Sequence, residues 1–334
     1  MFRHMKGTDT MGQCSKYAGS SRHPFGMAVS LAVLVLLSCC LTGCDAINNF
    51  IGGNQGSLME NIPAAIDLET ASDEDCFLWN GGTITGLTEK GKAQVNVVVP
   101  KKATSIDKET FARNTAIKSV GFQNPGIVLG EGLFMDCASL EMALLPTNLH
   151  VIPISLFKGC RALKEIVIPD QVTKIDNMAF FQCTSLESAE HGGKIESIGR
   201  QAFHTCDKLK EFEFSPSINV IGEGAFAWCY ELESVVLTST EQEILEVRTF
   251  SNCVKLTKVV IPEGVKKLDV GVFAQCPRLT DITLPASLEE IDTGAFKNTA
   301  ALNAEPKKYK VVEGSPADLS FGSYSTQFDA KEYQ

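Results

Sequence analysis

Seven of the twelve cysteines keep a fixed distance: Cys137, Cys160, Cys183, Cys206, Cys229, Cys253 and Cys276 follow one another in steps of 23 residues, with one step of 24. Thiols at regular spacing can form disulfides, ligate a metal or act as nucleophiles. If each belongs to one coil of a stack, neighbouring Cα atoms stand about 5 Å apart, within disulfide reach. Equivalent side chains in a stack point the same way, however, and an odd number leaves one unpaired. Metal sites favour local Cys pairs, which this column lacks. Cysteine is also among the most buried residue types. The column therefore reads as buried thiols, with some disulfides or a metal site as the alternatives. Past residue 44 the histidines are His150, His191 and His204. His191 fills a slot where other repeats place Ile, Leu or Phe, and Gly192-Gly193 follows it, so it reads as a local defect of its repeat. No GxSxG, P-loop, HExxH or GxGxxG motif is present. The chain reads as a non-enzyme, with no cofactor and no metal.

Net charge is −10 over 334 residues. Residues 1–43 hold four basic and one acidic residue, so the remainder carries −13. An acidic body of this kind argues against nucleic acid, whose phosphates need clustered Lys and Arg. It argues equally against direct adsorption to anionic lipid heads.

Met27 to Leu37 is an eleven-residue apolar run preceded by basic residues. Spanning a bilayer takes about 20 residues, whereas a secretory signal needs a run of this length. Leu41-Thr42-Gly43-Cys44 follows at once. It resembles the bacterial lipobox, in which the thiol takes a diacylglycerol and cleavage falls just before it. The resemblance implies that residues 1–43 are a lipoprotein signal peptide and that Cys44 is the lipidated first residue of the mature chain. Each buried CH₂ contributes about 0.8 kcal/mol, so two or three acyl chains anchor stably. Residues 44–75 combine Asn, Gly and Ser with acidic residues and read as a flexible tether.

The thiol column has a frame. Phenylalanines recur at 111, 134, 157, 180, 203, 226, 250, 273 and 296, with the single 24-residue step between Phe226 and Phe250. Each Cys lies three residues after its Phe, and Leu or Ile lies six after. Ile or Leu lies five before, as at Ile175, Ile198 and Ile221. Phe, Cys and Leu three apart share one face of a short helix or 3₁₀ turn. The period then changes to two, as at Ile166 and Ile168, Val235 and Leu237, or Ile282 and Leu284, which marks a strand with one buried face. A repeat of one short helix and one short strand cannot bury its own apolar face. Stacked repeats can, with the strands forming one parallel sheet. Residues 76–103, with Thr83–Leu87 and Val95–Val99, read as an N-terminal cap, and 303–334 as a C-terminal cap.

Two repeats carry the pattern most fully: Ile198-Gly-Arg-Gln-Ala-Phe203-His-Thr-Cys206-Asp-Lys-Leu209 and Ile221-Gly-Glu-Gly-Ala-Phe226-Ala-Trp-Cys229-Tyr-Glu-Leu232. They resemble the BspA-like leucine-rich repeat family of bacterial and protist surface proteins, and the resemblance covers residues 104–302. It implies an α/β solenoid of about nine coils, exported and anchored, with the outer membrane or cell surface as its place. It also implies surface adhesion through a protein partner, such as host matrix or another cell. A structural or assembly scaffold of the envelope without a host ligand is the alternative.

Seven residues after each Phe, Lys118, Glu141, Lys164, Glu187, Lys210 and Glu233 alternate in sign, which suits a solvated ladder. Outward strand positions lie eight and ten after each Phe, on the face that ligands meet in such arrays. They begin with Ser119 and Gly121. The candidate ligand-binding set is Glu165, Val167, Glu190, Glu211, Glu213, Val236 and Val260: an acidic centre beside exposed aliphatics, a combination suited to protein binding.

Overall fold

The computed structural model describes residues 66–238, 241–292, 294–299, 308–311, 314–315 and 330–333. The leader 1–43, Cys44 and the tether as far as residue 65 lie outside the described residues. So does most of 303–334.

The chain opens with an antiparallel hairpin of β1 (Phe77–Asn80) and β2 (Thr83–Leu87). A one-turn helix, Glu89–Lys92, precedes β3 (Asn96–Val99). From there most coils contribute a two-residue strand and a second, usually longer one, with none of the second kind between β12 and β13. In order these are β4 (Ser105–Ile106), β5 (Ser119–Phe122), β6 (Val128–Leu129), β7 (Met142–Ala143), β8 (Val151–Ile152) and β9 (Glu165–Ile168). Next come β10 (Lys174–Ile175), β11 (Ser188–His191), β12 (Ser197–Ile198), β13 (Val220–Ile221), β14 (Ser234–Val236) and β15 (Ile244–Leu245). β16 (Lys258–Val260), β17 (Lys267–Leu268), β18 (Asp281–Thr283) and β19 (Glu290–Ile291) complete the repeats. β20 (Lys308–Val311) and β21 (Ala330–Tyr333) extend the longer-strand ladder in parallel.

The expected solenoid of parallel coils is present, with two refinements. First, there are two ladders on two sides of the coil. Longer strands pair as β3-β5-β7, β9-β11 and β14-β16-β18-β20-β21; short ones as β2-β4-β6, β8-β10-β12-β13 and β15-β17-β19. Offsets equal the repeat, as in Ile175 against Ile198 and Val235 against Val259. Second, the Phe–Cys–Leu segment is a pair of turns rather than a helix. Residues two before and two after the Phe take left-handed backbone, for example Gln201 (φ 55°) and Thr205 (φ 60°) around Phe203. Two such residues four positions apart interrupt any helix. The amides go to the next coil instead: Phe203 N–H donates to the Ala225 carbonyl at 2.8 Å.

The core is one column per repeat position. Phe134 through Phe273 are fully buried, and their rings stack nearly parallel, at 5.0 Å for Phe180–Phe203 and 5.6 Å for Phe250–Phe273. Ladder thiols are buried, free and directed along the stack. Each Sγ–H donates to the Phe carbonyl of the preceding coil, such as Cys206 to Phe180 at 3.2 Å and Cys229 to Phe203 at 3.2 Å. In the last repeat Thr299 replaces the thiol, and its hydroxyl donates to the Phe273 carbonyl at 2.6 Å. The position therefore requires a small hydrogen-bond donor, not sulfur chemistry. Burial drives the thiol pKa values up, to about 12 for Cys137 and Cys276.

Both ladders are interrupted twice, first between β6 and β8 and between β7 and β9, and again further along the array. Between β11 and β14, residues 211–214 form no strand, and between β13 and β15 the short ladder breaks. Three sequence features meet here: the 24-residue step, His191-Gly192-Gly193, and Phe212 with Phe214 in inward slots that hold Ala189 and His191 one coil before and Val235 and Leu237 one coil after. The extra rings are wedged against the column, Phe212 at 5.2 Å from Phe203 and Phe214 at 5.2 Å from Phe226. Two rings crowd this level, where every other coil holds at most one Phe in these slots. His191 bridges the gap. Its Nδ1 accepts from Gly193 N–H at 3.1 Å, so Nε2 carries the proton and donates to the Glu213 carbonyl at 3.0 Å. Burial lowers its pKa, against the opposing pull of that carbonyl. The expected defect is thus a structural clip.

Candidate functional site

Alternation in the longer strands sets the outward face. In β9, Ile166 and Ile168 are buried while Glu165 is exposed and Val167 half-exposed. Pairing aligns Ser188 with Glu165, and Glu190 with Val167. Glu190 is half-buried. Burial raises its carboxyl pKa first, and the charges of Glu165 and Glu211 raise it further. These three carboxylates are therefore brought together across three coils. Glu211 and Glu213 are both exposed, in the segment where the ladder is interrupted. Glu213 is not among the charges acting on Glu190. Beyond the gap, exposed Val236 (39%) aligns with half-exposed Val260, and Val260 with Thr283. The candidate set thus forms two patches: Glu165, Val167, Glu190 and Glu211 before and at the interruption, and Val236 and Val260 beyond it.

One end of this face is taken by the chain itself. Residues 66–72, inside the segment expected as tether, lie across β3 and β5. Ser72 N–H donates to the Val98 carbonyl at 2.9 Å, and Val98 N–H to Ser72 Oγ at 2.9 Å. Gln123 Nε2 donates to the Leu68 carbonyl at 2.9 Å. Leu68 Cδ2 would stand 2.5 Å from a Cβ at position 121, and Ile66 Cγ2 3.1 Å from it. Only glycine leaves room for this strap. Ser119 and Gly121, expected as outward-facing, are consequently buried. A glycine inside a strand is the sequence signal for such a close approach.

The charge ladder is partly realised, with Lys118–Glu141 and Glu187–Lys210 ion pairs both at 3.1 Å. Exposed pairs of this kind contribute about 0–1 kcal/mol. Among the described residues no group of three His, Cys, Asp or Glu is arranged to hold a metal, and no helix is long and apolar enough to cross a membrane. A different surface escaped the sequence reading: the turn edge, where Trp228 is exposed (41%) and packs edge-on against Tyr230 at 5.9 Å.

A family model described as the BspA type leucine-rich repeat region matches in six copies, over residues 90–209 and 181–303. No curated protein matches the chain. Among solved structures it is similar to a leucine-rich cell surface protein from Faecalibacterium prausnitzii, 21% identical over 73% of this chain and 88% of that one, TM-score 0.37. It is also similar to a T. pallidum leucine-rich repeat protein, 23% identical over 70% of this chain and 100% of that one, TM-score 0.44. A leucine-rich repeat protein from Bacteroides ovatus is 19% identical over 75% of this chain and 87% of that one, TM-score 0.37.

Proposed function

Since this chain belongs to the BspA-type leucine-rich repeat family, we propose that it is a cell-envelope lipoprotein, anchored through Cys44, that binds a protein partner on the strand face of its solenoid and serves surface adhesion. The carrying observation is the grouping of Glu165, Glu190 and Glu211. The core does not dictate these residues, and like charges adjacent on a sheet are mildly destabilising. Folding alone gives no reason to gather them, whereas a partner with a basic surface does. Val236 and Val260 supply apolar contact next to them, and the acidic body favours such a partner over nucleic acid. Leu41-Thr42-Gly43-Cys44 supports the anchor and the export.

Three experiments test this reading. Cys44→Ala should shift the protein from the membrane to the aqueous fraction or leave its precursor uncleaved, and protease added to intact cells should digest the parent solenoid. Unchanged partitioning and processing of the variant would remove the anchor; a protected solenoid would remove the surface role. For the binding face, the probe is the partner captured by the parent protein. Glu211→Lys with Glu213→Lys should abolish capture with the fold intact, and salt should weaken it. Glu131→Lys, on the turn side, should leave it unchanged. Loss with Glu131→Lys but not with the strand-face pair would place the site elsewhere.

A further inference from the structure

The turn edge has a chemistry of its own, independent of the strand face. Each residue two past the repeat Phe sits in left-handed backbone, and its N–H donates to the neighbouring coil. Gln182 bonds His204, Thr205 bonds Ala227, Trp228 bonds Ser251 and Asn252 bonds Ala274, all at 2.8 Å. Gln275 continues this to Lys297 at 2.8 Å, and Asn298 follows with the same backbone. The column presents one side chain per coil, at the 5.0–5.6 Å pitch of the stacked Phe rings. Left-handed backbone favours Gly and Asn, which accounts for Asn252 and Asn298. It does not account for β-branched Thr205 or for Trp228 (φ 64°), whose indole reaches into solvent rather than into the core. The same backbone recurs at Arg113, Asp136, Gln182 and Gln275, so the turn sets it in every coil; what singles out Trp228 is a large ring left in solvent, which points to a use beyond folding.

The surroundings specify what would be held. Earlier in the column stand Arg113 and Asp136, but from Gln182 to Asn298 it carries no charge. Beside Trp228, Tyr230 packs edge-on, and one coil back His204 stacks on Phe181 at 5.1 Å. Aromatic faces with neighbouring amides and hydroxyls complement sugar rings: apolar C–H faces stack on the rings, and side-chain amides offer a donor and an acceptor to adjacent hydroxyls. A linear β-linked sugar chain advances by close to one coil per unit, so successive sugars meet successive side chains. An extended peptide advances about 3.3 Å per residue and falls out of step. The acidic body disfavours a polyanionic glycan. We infer that the turn edge from Gln182 to Asn298 is a binding track for a linear, neutral, β-linked glycan, with Trp228 as its stacking platform.

The sequence holds two tryptophans, Trp79 and Trp228, so Trp79→Phe leaves Trp228 as the sole indole reporter in the full chain. Titrating that protein with cello- and chito-oligosaccharides of two to six units should give a saturable change in emission. Affinity should rise with chain length as more coils are engaged. Calorimetry on the parent protein should give the same length dependence without any substitution. Trp228→Ala should weaken binding by about tenfold or more, since the platform supplies both stacking and buried area, with circular dichroism unchanged. Silence of both oligosaccharide series by calorimetry would overturn the proposal. Undiminished binding by Trp228→Ala would overturn it too, as would retention of basic peptides in place of sugars.

Discussion

Replacing Phe203 by Ala tests how the solenoid stores its stability. The ring is fully buried and meets Phe180 at 5.0 Å and both Phe226 and Phe212 at 5.2 Å. A buried Phe→Ala change costs about 3–5 kcal/mol, and aromatic pairs add about 0.5–1.5 kcal/mol each beyond area. The vacated space cannot close. Phe180 N–H to Ala202 and Phe203 N–H to Ala225, both 2.8 Å, fix the coil pitch on either side. The loss should therefore reach the upper end, about 5 kcal/mol, lowering Tm by roughly 10–20 °C. Phe111 has looser ring neighbours, Phe77 at 6.5 Å and Phe134 at 5.4 Å, so Phe111→Ala should cost about 3 kcal/mol. Damage should also be local, because each coil contacts only its neighbours. Next to Phe203 both ladders are interrupted, and the turn bonds and the Phe and Cys columns carry the coupling. Calorimetry of Phe203→Ala should therefore resolve two transitions, with hydrogen exchange faster near 203 and unchanged near 111. A single transition within about 3 °C of the parent, or exchange raised evenly along the array, would refute this account.

Three further outcomes follow from the geometry. The ladder thiols, raised by burial to about 12 at Cys137 and Cys276, should resist alkylation at neutral pH until the protein is denatured; native labelling of several, or bridges seen by mass spectrometry, contradicts this. Glu190 holds its proton more tightly when folded, so its carboxyl favours folding in acid and opposes it as pH rises past the usual glutamate range. Glu190→Gln should accordingly gain about 0.2–1 kcal/mol at neutral pH and nothing near about pH 3, where the parent carboxyl is protonated; equal gains at both values, measured by urea unfolding, would show that charge is not the cause. Gly121→Phe should expel Leu68 and unprotect the Ser72 amide in hydrogen exchange while the Phe column keeps its protection; a Ser72 amide as slow as in the parent would mean that the strap does not depend on this seat.

The column at 23-residue steps was legible because a repeat announces its core by recurrence, and the outward alternation placed Glu165, Glu190 and Glu211 near one another. The turns were not. Left-handed backbone falls on Glu109, Arg113, Gln201 and Trp228, residue types that do not advertise it, while Phe, Cys and Leu three apart imitate a helix. The short ladder escaped because two residues, such as Ser197-Ile198, are too few to show a period. Glu211-Phe-Glu-Phe214 alternates like a strand yet forms none, and a pattern of apolar and polar letters ignores the doubled ring volume at this level. The strap has the composition of a tether, and only Gly121 hinted at what lies over it.

The strap also decides how the protein would bear tension. A pull applied along the chain from the amino-terminal side enters the described structure at Ile66 and meets the Leu68–Gln123 and Ser72–Val98 bonds before it reaches β1. Those bonds reach two successive coils, so the load is divided between them instead of peeling the first strand from its end. Seven residues of strap would come away first, lengthening the leash by up to roughly 25 Å while the Phe column stays closed. A pull from this side would then be met by a short extension at the strap, leaving the strand face from β7 onward and the turn edge in their folded form.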